Sequence, residues 1–201
     1  MIYIEYMSRR PGVELSKFHE FMLKGLEGWD AGYQEDELIL GMSRTWRLGP
    51  EPEHIAVWDS PQAGFKRIDE WERIFRSGAA DHLEEPLQRV ARIDAAGCYE
   101  ALLGPVRARK GTYYAEFFRA EGESSAIQAF YKARRRQHQK FTLNLLVHRI
   151  GRLGPDPGGL AVWSLPNFAA LSEIAAELDR VHEPIRLEAA GAYADVGHEI
   201  I

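Results

Sequence analysis

Two glutamates carry the first candidate chemistry. Glu5 lies in Tyr3-Ile4-Glu5-Tyr6-Met7 and Glu116 in Tyr114-Ala115-Glu116-Phe117-Phe118, so each carboxylate shares an alternate-residue face with aromatic or methionine side chains. A carboxylate left unpaired among such neighbours has a raised pKa, which suits a general base. The plainer reading is a structural ion pair, with Arg44 and Arg149 as the available partners. A second set is Arg134, His138 and His148. Protonation of a substrate by His148, with Arg134 or His138 holding a developing enolate or carboxylate, would serve proton transfer beside a carbonyl or oxygen insertion into an activated phenol.

Other chemistries find little support. The seven histidines (19, 54, 82, 138, 148, 182 and 198) form no His-x-x-x-His pair, and the single cysteine, Cys98, excludes Cys-x-x-Cys spacing. No metal and no tightly held cofactor is therefore expected, although a haem needs only one axial histidine. Cys98 reads as a small buried residue rather than a nucleophile. There is no nucleophile elbow, phosphate loop or dinucleotide fingerprint. The basic run Arg134-Arg135-Arg136-Gln137-His138-Gln139-Lys140 fits cations in the last turn of a helix. With 25 Lys+Arg against 30 Asp+Glu, net charge −5, the chain lacks the cationic footprint of a nucleic-acid binder. No apolar run approaches membrane-spanning length, and the N-terminal residues lack a signal-peptide pattern, so a cytoplasmic protein without membrane contacts is expected.

The elements that must position these groups come from a duplication. Leu48–Pro61 and Leu153–Pro166 lie 105 residues apart and agree at eight of fourteen positions, including Leu-Gly-Pro-acid-Pro and Ala-Val-Trp. Ala95-Ala96-Gly97-Cys98-Tyr99 matches Ala189-Ala190-Gly191-Ala192-Tyr193 in the same order. The chain divides into repeats 1–106 and 107–201, with the Gly/Pro-punctuated segment 104–111 between them.

Each repeat reads strand, helix, strand, strand, helix, strand. Residues 2–8 and 112–119 are strands. Leu15, Phe18, Met22, Leu26 and Trp29 recur at helical spacing, matched by a helix from Ser125 to His138. Strands at 38–47 and 143–150 turn through the Gly-Pro-acid-Pro segments into His54–Asp59 and Gly159–Ser164. Ser60-Pro61 marks a helix start. A helix with Phe65, Ile68, Trp71 and Phe75 follows, matched by Phe168, Leu171, Ile174 and Leu178. Short helices near Leu83–Val90 and His182–Leu187 lead to last strands near 97–103 and 191–197.

This order is that of a ferredoxin-like repeat, α+β, with helices on one face of an antiparallel sheet. The other face must also be covered, since Ile55-Ala56-Val57-Trp58 and Leu160-Ala161-Val162-Trp163 are apolar at consecutive positions. The economical cover is the other repeat: two sheets packed face to face or closed as an intramolecular α+β barrel. One chain then completes one barrel, with further homo-oligomerisation open.

This arrangement resembles the dimeric α+β barrel superfamily in single-chain tandem form. The strand-1 Tyr/Glu pattern and the Val-Trp-x-x-Pro third strand resemble NIPSNAP-like families. The superfamily resemblance implies a pocket between each sheet and its helices, and it includes cofactor-free monooxygenases, cyclases, isomerases, haem enzymes and non-catalytic proteins; fold does not choose among them. The expected function is a small-molecule-binding protein, a cofactor-independent enzyme acting on an apolar or aromatic metabolite. The alternatives are a non-catalytic NIPSNAP-like binding or scaffold protein and a haem-dependent enzyme.

Asymmetry between repeats places the expected site. Aligning Phe18 with Phe130 sets Met22 opposite Arg134, Leu26 opposite His138 and Trp29 opposite Phe141, and Ser43 falls opposite His148. The second repeat is thus expected to hold the larger enclosed pocket, with His148 as the catalytic group. Arg134, His138, Tyr114, Glu116, Arg149 and Trp163 are the expected substrate-binding residues.

Overall fold

A computed structural model describes residues 1–32, 37–45, 47–60, 65–104, 111–120, 122–178 and 185–195, with backbone alone for 25–32 and 175–178. The first repeat runs β1 (Ile2–Arg9), α1 (Leu15–Gly32), β2 (Glu37–Arg44), β3 (His54–Asp59), α2 (Lys66–Arg76), α3 (Asp81–Val90) and β4 (Ala91–Leu103). The second runs β5 (Thr112–Ala120), α4 (Ser124–Gln137), β6 (Thr142–Arg149), β7 (Gly159–Leu165), a 3-10 turn at Phe168–Ala170, α5 (Leu171–Leu178) and β8 (Ile185–Asp195). The α+β barrel expectation holds in its closed form. The strands close in the order β1-β3-β2-β8-β5-β7-β6-β4, all described pairings being antiparallel. The repeats are joined at β2·β8 and β4·β6.

Alternation along each strand divides the side chains between two layers. Ile2, Ile4 and Tyr6 of β1, Ile55 and Val57 of β3, and Tyr113, Ala115 and Phe117 of β5 fill the barrel interior. The other face of the first repeat packs Met7, Ala56 and Trp58 under Phe18 and Met22 of α1 and Leu87 of α3. The matching layer of the second holds Tyr114, Phe118, Ala161 and Trp163 under Ile127 and Tyr131 of α4 and Ile174 of α5. Strands buried on both faces explain the unbroken apolar runs of β3 and β7.

The long repeated motif is a docking device. The Leu48 carbonyl accepts from Ala192 N at 3.0 Å, and the Leu153 carbonyl from Cys98 N at 2.9 Å. Each Leu-Gly-Pro corner thus pairs with the Ala-Ala-Gly-x-Tyr strand of the other repeat. Gly49 and Gly154 have φ of 118° and 147°, and a Cβ on either would meet the Cα of Gly191 at 2.5 Å or of Gly97 at 2.9 Å. Glycine is required there by both backbone conformation and contact.

Three local expectations are corrected. Helix α2 begins at Lys66 with Phe65 at its N-cap, so Ser60 does not cap it, and residues 61–64 lie outside the described set. Residues 185–187 belong to β8 rather than to a helix, and 182–184 lie outside the described residues. Strand β4 begins at Ala91, six residues before the expected start. Of the expected linker, 105–110 are not described.

Candidate functional site

Tyr114, Glu116 and Phe118 project from β5 toward α4, where Glu116 is fully enclosed. Arg134 Nη1 donates to Glu116 Oε1 at 2.5 Å, and Tyr131 OH donates to Oε2 at 3.1 Å. The Arg134 guanidinium also lies 5.6 Å from the centroid of the Trp163 ring. Both carboxylate oxygens are therefore answered, and a buried charge is tolerated when paired and hydrogen-bonded in this way. Tyr131, Phe118 and Trp163 seal the layer, with ring centroids 5.4 and 6.3 Å apart.

Glu116 finds its partner in Arg134, not in Arg149 as the ion-pair expectation had it. Arg149 instead ties down the hairpin after β6: its Nη1 donates to the Gly154 and Pro155 carbonyls, and its Nη2 pairs with Asp156 at 2.9 Å. Arg44 does the same in the first repeat with the Gly49 carbonyl and Glu51. His138 caps the end of α4 and stacks on Phe141 at 5.6 Å. His148 is half-buried on β6, opposite Glu100 of β4 and Gly159 of β7. Burial lowers its pKa, with Glu100 acting against that shift and Arg149 with it. Of the expected set, Arg134, Glu116, Tyr114 and Trp163 come together; His138, His148 and Arg149 lie apart from them. A cleft of about 600 Å³ opens at one barrel end, between the proline hairpins of both repeats.

The helix alignment also changes. Burial falls at Phe18 and Met22 of α1 and at Ile127 and Tyr131 of α4. Phe18 thus corresponds to Ile127 rather than Phe130, and Met22 to Tyr131 rather than Arg134. Three residues on, the sequence has Gly25 where the second repeat has Arg134. Glu5 therefore loses both partners of Glu116. Among the described residues its one hydrogen bond comes from Trp58 Nε1, at 3.1 Å.

The first-repeat layer is correspondingly open. Tyr3, Glu5, Leu38 and Gly41 are all partly exposed, whereas their counterparts Tyr114, Glu116, Leu143 and Leu146 are buried. The Gly41/Leu146 difference removes a whole isobutyl group beside Ala56, opposite Glu5. Tyr3 and Trp71 of α2 form an aromatic wall, with centroids 4.7 Å apart. Burial pushes the Glu5 carboxyl up to about 7; the Trp58 hydrogen bond acts against that shift and Glu84 of α3 adds to it. A carboxyl in this range exchanges protons readily at neutral pH. Residue-by-residue reading had identified Glu5, but the misaligned helix hid its loss of partners.

Histidine placement is also exchanged between repeats. Ser43 faces His54 across β2·β3, and His148 faces Gly159 across β6·β7. A Cβ at Gly159 would lie 2.2 Å from the Phe118 ring, which fills the space taken by His54 in the first repeat. His54 is fully enclosed, bonded through Nδ1 to Ser43 Oγ at 2.9 Å, with no partner for Nε2. Burial lowers its pKa to about 3, His19 adding to the shift. A haem would need such a nitrogen to face a slot wide enough for the macrocycle. The enclosed His54 and the sealed ring layer under α4 do not fit one.

No family model and no curated protein matches the chain. Among solved structures it is similar to the crystal structure of a candidate chlorite dismutase, with 13% sequence identity and a TM-score of 0.54 over 98% of this chain and 95% of that one. At that identity the likeness is one of fold. What the two share is an α+β fold. No helix among the described residues is long and apolar enough to cross a membrane, and no cluster of three metal-ligating side chains occurs among them.

Proposed function

We propose that the chain is a small-molecule-binding protein whose ligand site is the layer between β1–β3 and the helices of the first repeat, in a chain built of units 1–106 and 107–201. The observation that carries this reading is the contrast between two matched carboxylates: Glu116 is enclosed and doubly bonded, while Glu5 stays reachable beside Tyr3, Trp58 and Gly41. An apolar or aromatic ligand suits those walls, and a proton-donating group on it suits Glu5. As an enzyme the protein would use Glu5 to take or return that proton, without a cofactor. As a NIPSNAP-like binding protein it would use the same contact for recognition alone.

The test is to titrate a panel of small aromatic ligands against the wild type, Glu5→Gln and Gly41→Leu, reading tryptophan fluorescence. Binding that both substitutions weaken supports the site. Binding insensitive to both removes it.

A second reading keeps the site in the second repeat. It is supported by His148, half-buried with its pKa lowered by that burial, and by the unpartnered buried Nε1 of Trp163. His148→Ala, in the same titration, separates it from the first. The haem alternative draws on the fold likeness to a candidate chlorite dismutase. A Soret band in protein reconstituted with haemin, abolished by His148→Ala, would favour it.

A further inference from the structure

The second repeat contains its own image of what the first could bind. Between the Glu116 carboxylate and the Trp163 ring sits a guanidinium, that of Arg134, paired with the one and 5.6 Å from the centroid of the other. The first repeat keeps the carboxylate, Glu5, and the tryptophan, Trp58, at the same positions on β1 and β3, and even bonds them to each other. Among the described residues no cation bonds Glu5. Met22 replaces Tyr131, and the sequence has Gly25 at the place of Arg134.

We infer that the first-repeat site takes a ligand whose head group is a protonated amine or guanidinium, set against the Glu5 oxygen that Trp58 does not bond and the face of the Trp58 ring, in the role that Arg134 has toward Glu116 and Trp163. This rests on the proposed site and deepens it by fixing the charge of the ligand.

The surroundings agree. Glu84, on α3, adds a second carboxylate close enough to act on both Glu5 and Tyr3. Tyr3 and Trp71 supply further aromatic faces, which attract cations through their quadrupoles. The buried cation of α2, Arg67, is engaged by Glu70 and lies 5.9 Å over the Trp71 ring. An anionic ligand would meet two carboxylates and no described cation bonded to Glu5. A cationic one would complete the pair that the second repeat already has. Its apolar remainder would lie over Ala56 and Gly41, where the second repeat carries Leu146.

The experiment compares three ligands of one shape, benzamidinium, benzamide and benzoate, by calorimetry with the full chain. Wild-type protein is expected to bind benzamidinium saturably and at least about tenfold more tightly than the other two, a difference of about 1.4 kcal/mol. Glu5→Gln should lower benzamidinium affinity by about tenfold or more, and Gly41→Leu should abolish binding by filling the space. Denaturation midpoints of both variants verify that they fold, and Gly41→Leu keeps the test decisive if one of them does not. No saturable benzamidinium binding up to about 10 mM overturns the inference. So does equal or tighter binding of benzamide or benzoate. If those two bind and respond to Glu5→Gln and Gly41→Leu, the site stands and only the cation is wrong. If no ligand responds to either variant, the site fails with it.

Discussion

Glu5 and Glu116 occupy the same position on the first strand of their repeats, yet Arg134 and Tyr131 bond Glu116 while Glu5 receives only the Trp58 indole N–H. In the second repeat the carboxylate belongs to the packing, its charge balanced within the core. In the first it is only partly exposed, held at one oxygen by Trp58.

Arg134→Met is expected to destabilise the protein by about 3–5 kcal/mol, because it leaves the enclosed Glu116 carboxylate without its counter-charge. Glu116→Gln in the same chain should recover most of that loss. Urea midpoints of the two single variants and the double variant give the coupling; additive losses would show that the pair is not the unit described.

Glu5 makes a pH-dependent contribution of the opposite kind. Its folded pKa, about 7, lies above its ordinary value of 4.5, so the folded protein holds this proton more tightly than the unfolded chain. The contribution is full below about pH 4.5 and disappears as pH rises through 7, on the order of 3 kcal/mol in all. Tyr3, Trp58 and Glu84 are the groups that act with it. Glu5→Gln should remove this slope between pH 4.5 and 7, leaving a chain more stable than wild type at pH 8. An unchanged slope in Glu5→Gln would place the titration elsewhere.

His54 acts in the reverse direction. Enclosed and neutral, with a pKa near 3 against an ordinary 6.5, it contributes stability above pH 6.5 that is lost as pH falls toward 3. His54→Gln should flatten the acid limb of the stability curve, measured as the denaturation midpoint between pH 3 and 6.5. If the limb keeps its steepness, the buried imidazole is not its source.

Gly49→Ala should cost about 1–3 kcal/mol from backbone conformation alone, with φ at 118°. The Cβ contact with Gly191 Cα adds to this. Both partners are backbone, so no rotamer change relieves the contact. A midpoint within experimental error of wild type would mean that the hairpin docks differently on β8.

The isolated segment 1–106 is expected to self-associate or precipitate, since Ile4, Ile55 and Val57 would lose their cover from β5–β8. Light scattering showing a well-folded monomer would contradict a core shared between the repeats.

Most of the order of elements and the α+β barrel were legible in the sequence, for local reasons. Strand and helix periods are set by which faces must be buried, and the doubly apolar β3 and β7 announced that both faces of each sheet are covered. The repeated Leu-Gly-Pro-acid-Pro and Ala-Ala-Gly-x-Tyr blocks persist because each corner docks on the strand of the other repeat, where two glycines must meet. Tertiary structure alone decided the partner of Glu116. The sequence pointed to Arg149, but α4 lies over the helix-facing side of β5 and brings Arg134 to Glu116, whereas Arg149 turns to the hairpin beside its own strand. Similarly, Phe130 looked like the mate of Phe18, yet burial pairs Phe18 with Ile127. A helix presents a new residue to the sheet every three or four positions, so a slip of three preserves its amphipathic pattern and exchanges its contacts. Sequence therefore specified which faces are buried; only the packing of one helix over one strand determined which carboxylate is paired and which is left open.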